Sequence, residues 1–580
     1  MTADLATIIR CARGIEPADL VLKNGKVVNP FTGELLETRV AIAGGFVAGL
    51  GEDYEGRETI DLGGRVVSAG FIDAHLHMES TMLAPHEFAR AVVPRGTTAV
   101  VCDPHEIANV LGVEGVRFML DASEELPVTV FVMAPSCVPS SPLETAGATL
   151  ETPEIEALLD HPRVLGLAEM MNYPGVLHQQ EDVIAKLEMA HRHRVPIDGH
   201  SPSLSGQGLQ AYVAAGPRSD HECTRLEEAR EKLRAGMYVF IREGTTEHNL
   251  EDLLPLVSHE TSRRCVLVSD DRHPDDLMDN GHMDHSVRLA VKHGVDPITA
   301  IQMVTLNPAE RFRLWDRGAV APGYRADLVV LDSLEDLNVE MVFSGGRLVA
   351  RDGELISPVQ PAKEPNRSSV NVAWGKLDLA IPAPTGRMRV IGIVPDQIVT
   401  ESLELDAKRE NGHAVADVSR DLLKLAVIER HHGSGNVGLG FVKGMGLKRG
   451  ALASTVAHDS HNLIVAGTND ADMIAAARAV AETGGGFSAV NDGEVLAALP
   501  LPIAGLMSDR PLEEVRRKMD ELLSAARKLG SDLPNPFMSL SFLALPVIPQ
   551  LRLTDLGLVD VGEFRVVPLQ GGMDRSRSKL

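Results

Sequence analysis

Two histidines, His75 and His77, close an apolar run in the segment Phe71-Ile72-Asp73-Ala74-His75-Leu76-His77-Met78-Glu79-Ser80. On a strand, residues i and i+2 face the same way, so both imidazoles point to one side. Imidazole is a common metal ligand, yet a lone His-x-His is also what an ordinary polar strand end looks like. Residues of the same kind elsewhere decide between the two. Asp103-Pro104-His105-Glu106, Glu169, His200, His221-Glu222, Arg242-Glu243 and Asp270-Asp271 each lie at or just past the end of a short apolar run. Four histidines and two carboxylates (His75, His77, Glu169, His200, His221 and Asp270) at the same end of successive strands make an N/O donor set. Such a set suits divalent Mn, Fe or Zn. Six ligands exceed the four of a single zinc site, which favours two divalent ions bridged by Glu169. His75 and His77 then belong to the more buried ion. Such a pair generates hydroxide from water at neutral pH, a nucleophile for an electron-poor carbon. Asp270, within hydrogen-bond reach, would accept its proton.

The elements that must hold these residues follow from the hydrophobic pattern. Apolar runs at Thr97–Cys102, Val128–Met133, Val164–Leu167, Val195–Ile197, Arg218–Asp220, Met237–Ile241 and Cys265–Val268 alternate with helical stretches. The helices include Glu181–Arg194, Thr224–Ala235 with Gly236 as a stop, and His285–His293 with Gly294 as a stop. Alternation of this kind predicts an α/β fold with parallel strands and crossover connections. Counting the His-x-His strand gives eight strands, and a (β/α)8 TIM-like barrel over residues 70–315 fits the length. An open doubly wound sheet is the alternative, weakened by the lack of a glycine-rich dinucleotide fingerprint after the first strand.

Residues 1–69 and 316–356 read as β and predict a small β-sandwich built from both sides of the barrel. Asp19–Val28 predicts a hairpin around Asn24-Gly25, and Val40–Leu50 another around Gly44-Gly45. Tyr324–Leu331 and Val339–Ala350, turning at Gly345-Gly346, mirror them. A proline-containing linker, Ile356–Pro365, leads to an α+β domain over residues 366–580. Its predicted strands are Met388–Val394, Leu423–Glu429, Ala453–Ala457 and Leu463–Ala466, and its helices Ala471–Glu482 and Pro511–Leu529. The glycine-rich stretches His432–Gly438 and Gly484–Gly486 lack the Gly-Lys-Ser/Thr of a P-loop.

The chain carries 81 acidic and 56 basic residues, a net charge of −25, which argues against a nucleic-acid or anionic-membrane surface. No apolar run is long enough to cross a bilayer, and the N-terminal residues show no secretory pattern. The five cysteines are scattered without a CxxC pair, which points to a reducing, cytoplasmic setting.

With these residues in view, the sequence resembles the amidohydrolase superfamily: HxH on the first strand, an acidic bridge on the fourth, His on the fifth and sixth, Asp on the eighth. The flanking motifs resemble the bacterial adenine deaminase family more narrowly. They are Val100-Val101-Cys102-Asp103-Pro104-His105-Glu106-Ile107-Ala108-Asn109-Val110, Asp198-Gly199-His200-Ser201-Pro202, Ser219-Asp220-His221-Glu222, Val268-Ser269-Asp270-Asp271, His458-Asp459-Ser460-His461-Asn462 and Pro502-Ile503-Ala504-Gly505-Leu506-Met507-Ser508. The resemblance runs from about residue 18 to about residue 570. It implies hydrolytic deamination of adenine to hypoxanthine and ammonia in purine salvage, with two divalent ions, Mn(II) before Fe(II) or Zn(II). Asp270 would move the proton from hydroxide to the leaving nitrogen. Asp103, Glu106 and His105 are candidates to protonate or contact the ring, with Glu79 and Asp271 behind them.

Two features depart from the superfamily pattern. The loop Arg242–His248 has no matching role. Glu169 stands where hydantoinase-like members carry a carboxylated lysine, which counts against cyclic-amide hydrolysis. A deaminase of another aminopurine or a cyclic-amide hydrolase is the alternative within enzymes, and a catalytically silent scaffold the alternative outside them. His458, Asp459 and His461 predict a turn or a lid over the barrel mouth rather than a separate metal site. The expected partners are a small purine and a second copy of the chain, as a homo-oligomeric dimer.

Overall fold

The residues expected at the site lie on or just past parallel strands that are buried along most of their length. The computed structural model describes residues 4–361, 368–394 and 397–571. Positions 362–365 of the predicted linker lie outside the described residues. Phe71–Leu76 (β1), Thr97–Cys102 (β2), Thr129–Ala134 (β3), Val164–Met170 (β4) and Ile197–Gly199 (β5) form one parallel sheet in the order β5-β4-β3-β2-β1. Ser219–Asp220 (β6), Tyr238–Arg242 (β7) and Cys265–Val268 (β8) form a second. Hydrogen bonds run across both seams. The Arg218 amide donates to the Ile197 carbonyl (3.1 Å), and the Asp270 amide donates to the His75 carbonyl (3.1 Å).

Every residue of β1, β2 and β8 is buried, as expected of parallel strands covered on both faces. Alternate side chains divide between two cores. Ala99 and Val101 join Ile72, Phe131, Phe240 and Val266 on the inner side, whereas Val100 and Cys102 join the cluster that includes helix residues. The covering helices form for local reasons. Glu181–His193 opens with Glu181 and Asp182 and closes with His191, Arg192 and His193, so charge complements the helix dipole at both ends. Its Val183, Leu187 and Ala190 form the buried stripe.

Strands from both flanks of this unit join in one nine-stranded sheet. Leu328–Leu331 pairs antiparallel with Val66–Ala69, in register from Leu328 opposite Ala69 to Leu331 opposite Val66. One local expectation fails here. Asn24-Gly25 does not turn the chain: Ala18–Asn29 is a single strand with a bulge between Leu22 and Gly25. Asn24 takes the extra residue's left-handed conformation (φ 55°), and a side chain at Gly25 would meet Leu62 at 2.6 Å. The Asn-Gly pair therefore bends a strand so that its first half pairs with Gly56–Asp61 and its second with Val66–Ala69. The turns at Gly44-Gly45 and Gly345-Gly346 do form hairpins.

After the linker, eight strands form a second large sheet. Those expected at Met388–Val394, Leu423–Glu429, Ala453–Ala457 and Leu463–Ala466 form at Met388–Ile393, Leu422–Ile428, Ala451–Ser454 and Leu463–Gly467, and are joined by Thr400–Leu405, Val437–Lys443, Gly486–Asn491 and Glu494–Pro500. Val437–Lys443 takes in the end of the glycine-rich stretch His432–Gly438. Gly438 serves a close approach, since a Cβ there would sit 1.8 Å from the Thr554 carbonyl oxygen. Helices Asp470–Glu482 and Leu512–Leu529 pack on this sheet. Its rim docks on the segments that follow β1 and β3. The Ser508 amide donates to Met82 (2.8 Å), the Leu512 amide to Glu87 Oε2 (2.9 Å), and Asn462 Nδ2 to the Thr145 carbonyl (2.8 Å). No helix among the described residues is long and apolar enough to cross a membrane.

Candidate active site

The six residues expected as ligands converge in one buried cluster at the C-terminal ends of β1, β4, β5, β6 and β8. Glu169 lies at its centre. Its Oε2 is 2.7 Å from His200 Nδ1 and 3.2 Å from His221 Nε2, while its Oε1 is 3.4 Å from His77 Nε2 and 3.6 Å from His105 Nδ1. Asp270 Oδ1 lies 3.3 Å from His77 Nε2 and 3.6 Å from His75 Nε2. The His75 and His221 rings stack with centroids 4.0 Å apart.

These residues fit a divalent metal. His75 Nε2 is buried without a hydrogen-bond partner, a costly state for a lone imidazole nitrogen. Most of the N···O separations of 3.2–3.6 Å exceed good hydrogen bonds. They match the spacing of about 3.4 Å between two ligands each ~2.1 Å from a tetrahedral ion. Ligand-type atoms of His75, His77 and Asp270, and of His200, His221 and Glu222, form compact groups. His77 Nδ1 donates to the Asp103 carbonyl (3.0 Å), which leaves the Nε2 lone pair facing the cluster.

The strand ends are held by buried polar pairs behind the ligands. Asp73 accepts from the Ser269 amide (3.2 Å) and faces His282 Nε2 (3.0 Å), tying β1 to β8. Asp220, just before His221, accepts from the Ser201 amide (2.8 Å) and from Lys232 Nζ (3.0 Å), tying the β5 and β6 ends together. Arg242 donates from Nη1 to both Glu222 Oε1 (2.7 Å) and Asp270 Oδ2 (2.8 Å), and from Nη2 to Glu222 Oε2 (3.2 Å). Burial pushes Asp270 up, but the close imidazoles of His75 and His77 and the charges of His221 and Arg242 outweigh it and hold the carboxyl well below its usual range. Glu169 is held down in the same way by His221 and His200.

A second group of carboxylates borders this centre. Ser80 Oγ bridges Glu106 Oε1 (3.1 Å) and Asp271 Oδ1 (2.5 Å). Glu79 accepts from the Ile107 amide (3.0 Å). Burial, reinforced by the charge of Glu106, pushes Glu79 up to about 7. Burial and the neighbouring Asp270 push Asp271 up as well. Glu106 goes the other way: burial raises it, but His458 outweighs that, and the carboxyl stands well below its ordinary value. Asp103 and His105 lie 3.4 Å apart beside Glu169, and both Asp103 carboxylate oxygens lack a hydrogen-bond partner.

The C-terminal domain reaches this same place. His458 Nδ1 is 3.2 Å from Glu106 Oε1, Asp459 Oδ1 is 4.0 Å from His105 Nε2, and His461 Nε2 is 3.9 Å from Glu106 Oε2. The Glu106, His458 and His461 trio has the look of a third metal site. The tautomer argues otherwise. The Ala457 amide donates to His461 Nδ1 (3.1 Å), and burial drives the ring neutral, so Nε2 carries the proton and is a donor.

Sequence reasoning did not assign Glu222, Arg242 or Ser80. Glu222 adjoins a ligand histidine, and Arg242 is a cation ending a strand amid acidic strand ends; these were the available signals. A cleft lined by Phe31, Pro255, Arg263, His293 and Glu310 contains none of the site residues.

The amidohydrolase family profile matches residues 66–349, and the adenine deaminase C-terminal domain profile matches residues 397–565. An adenine deaminase of Desulfatibacillum aliphaticivorans is 54% identical over 97% of this chain and 99% of its own length. Adenine deaminase 2 of Carboxydothermus hydrogenoformans is 53% identical over 97% and 99%. An adenine deaminase of Methanothrix thermoacetophila is 50% identical over 97% and 99%. By likeness along nearly its whole length, the chain belongs to the adenine deaminase family of amidohydrolases.

Proposed function

We propose that the chain hydrolyses adenine to hypoxanthine and ammonia, at a divalent metal centre in the mouth of a closed (β/α)8 barrel formed by β1–β8. In this reading residues 70–315 are the barrel, 1–69 and 316–356 build the flanking β-sandwich, and 366–580 are the C-terminal domain. The observation that carries the chemistry is the division of Glu169 between two histidine groups, one oxygen toward His77 and the other toward His200 and His221. His75, His77 and Asp270 would hold one ion, His200 and His221 the second, with Glu169 shared. Mn(II) fits this N/O set, as do Fe(II) and Zn(II). When bound, such ions make hydroxide available at neutral pH.

The chain's own residues do the remaining work. Asp270, kept ionised, takes the proton of the water that adds to C6 and returns it to the departing amino nitrogen. Arg242 fixes the orientation of that carboxylate. As C6 becomes tetrahedral, negative charge builds on the ring nitrogens and needs a donor. Glu79 fits that role better than Glu106, because burial keeps Glu79 protonated near neutral pH while Glu106 is an acceptor. Asp271, also pushed up by burial and by Asp270, stands behind Glu79. Asp103 and His105 take polar contacts at the ring edge nearest Glu169. The sum is adenine plus water giving hypoxanthine plus ammonia.

The test is ammonia release from a panel of purines and cyclic amides, using protein produced with Mn(II) and without iron. Turnover of another ring amine or amide, with none of adenine, refutes the proposal. The homodimer and cytoplasmic setting expected from the sequence remain part of this reading; light scattering and cell fractionation test them.

A further inference from the structure

Two carboxylates stand in matching places behind the ligands. Asp73 precedes His75 by two residues on β1, and Asp220 precedes His221 by one on β6. Both are fully buried, and neither is among the expected ligands. Each reaches across to a neighbouring strand end that carries one. Asp73 Oδ1 lies 3.4 Å from the His75 amide and 3.2 Å from the amide of Ser269, the residue before Asp270. One oxygen thus touches the backbone from which both His75 and Asp270 project. Asp220 Oδ2 accepts from the amide of Ser201, the residue after His200 (2.8 Å), and its Oδ1 from the amide of Glu222, the residue after His221 (2.9 Å). That carboxylate spans the backbone that carries both histidines.

Buried donors clamp each carboxylate from the far side. His282, also buried, sets Nε2 at 3.0 Å from Asp73 Oδ2 and Nδ1 at 2.8 Å from Thr97 Oγ1. A carboxylate only accepts, so Nε2 carries a proton. Ser269 Oγ donates to the same Asp73 oxygen. Lys232 Nζ donates to Asp220 Oδ1 (3.0 Å), and Ser201 Oγ donates to Oδ2. Charge-assisted bonds of this kind are short and strong, and a buried anion is costly without them. The two networks share no residue. A ligand set has to be held to within about 0.5 Å, and each network fixes the spacing of one pair.

We propose that Asp73 with His282, and Asp220 with Lys232, are two independent spacers: the first sets His75 against Asp270 and the second His200 against His221, so that each controls the affinity of one ion. This rests on the two-ion reading above. All four are positioning residues, acting through the backbone that carries the ligands. A merely structural role would weaken both ions together through lost stability; spacers weaken one ion each.

The experiment measures Mn(II) binding to the metal-free full chain by equilibrium dialysis with elemental analysis, and needs no turnover. Asp73→Asn weakens one of two bound Mn(II) by about 10- to 100-fold and leaves the other within about threefold. Asp220→Asn does the converse. The His200→Ala chain, left with the first ion alone, tells the two apart: adding Asp73→Asn weakens that ion, and adding Asp220→Asn leaves it within about threefold. His282→Ala weakens the first ion, and His282→Gln, which keeps an N–H toward Asp73, recovers most of the loss. Ser269→Ala and Ser201→Ala each remove a single hydroxyl and give the same test in chains that fold if the Asp variants do not; they weaken the first and the second ion respectively, by about threefold or more. Two ions in the wild-type chain whose affinities fall together, or do not fall, in these variants overturn the spacers and leave the two-ion reading standing. A wild-type chain that binds fewer than two Mn(II) overturns the two-ion reading and the spacers with it.

Discussion

Replacing Arg242 with Met tests how far the centre depends on a cation that never touches substrate. Arg242 is 4% exposed and ends β7. Its guanidinium makes two bonds to Glu222, one of 2.8 Å to Asp270 Oδ2, and one of 2.8 Å from Nε to Asn249 Oδ1. Methionine keeps most of the volume and removes all four. A hydrogen bond to a charged group contributes about 1.5–3 kcal/mol. Losing the single bond that orients Asp270 should therefore lower kcat by about 10- to 150-fold. KM for adenine should stay within about threefold, because the lost contact acts on the proton-transferring group rather than on bound base. The Glu222 contacts bear on stability instead, so the variant should also unfold at lower denaturant. The assay is steady-state ammonia release on Mn-loaded protein, with metal content measured on the same sample to exclude a trivial loss of ions. A variant with full metal and kcat within twofold of wild type refutes the view that Arg242 orients Asp270.

Three further outcomes are expected. His200→Ala should lose bound metal after dialysis, by elemental analysis; a variant that keeps its full metal complement and activity removes His200 from the ligand set. Lys232→Met should destabilise the chain by about 3–5 kcal/mol in denaturant unfolding. Lys232 is fully buried, and Asp220, Glu228 and the Ser201 carbonyl all depend on it; a loss under about 1 kcal/mol contradicts that dependence. Glu144, 6% exposed, is pushed up to about 8 by burial, with Asp459 and Asp555 adding to the effect. The folded state therefore binds the extra proton between its unfolded value of 4.5 and about 8, and stability falls as pH rises through that window, by up to ~5 kcal/mol. Glu144→Gln should flatten the fall in Tm between about pH 5 and pH 9; parallel Tm curves for the two proteins would count against it.

Much of this architecture was written in short-range pattern. The runs at Thr97–Cys102 and Cys265–Val268 became strands with those bounds, because buried parallel strands are apolar along their whole length and stand out against polar loops. Polar residues at the end of each such run then marked the site, and all six expected ligands meet there. Asn24-Gly25 misled because the local signal for a turn and for a bulge is the same left-handed residue; strand pairing with Gly56–Asp61 and Val66–Ala69 decides between them. The position of His458 against Glu106 was illegible for a different reason. The two residues are 352 positions apart, and nothing in either neighbourhood specifies which face of the C-terminal sheet meets the barrel. Arg242 and Glu222 were visible as charges, but their pairing, which makes them structural, exists only once β6, β7 and β8 are side by side.

The division of the site between distant stretches of chain sets an order in time. The last expected ligand, Asp270, is made when less than half of the polypeptide has been synthesised, whereas His461 comes roughly 190 residues later. At ~5–20 residues per second, translation leaves an interval of about 10–40 s between them. During that interval the expected ligand residues exist without His458, Asp459 and His461, which later pack against His105 and Glu106. Ions of the proposed centre would enter from the side that these residues later close, and their exchange in the finished protein should be slow.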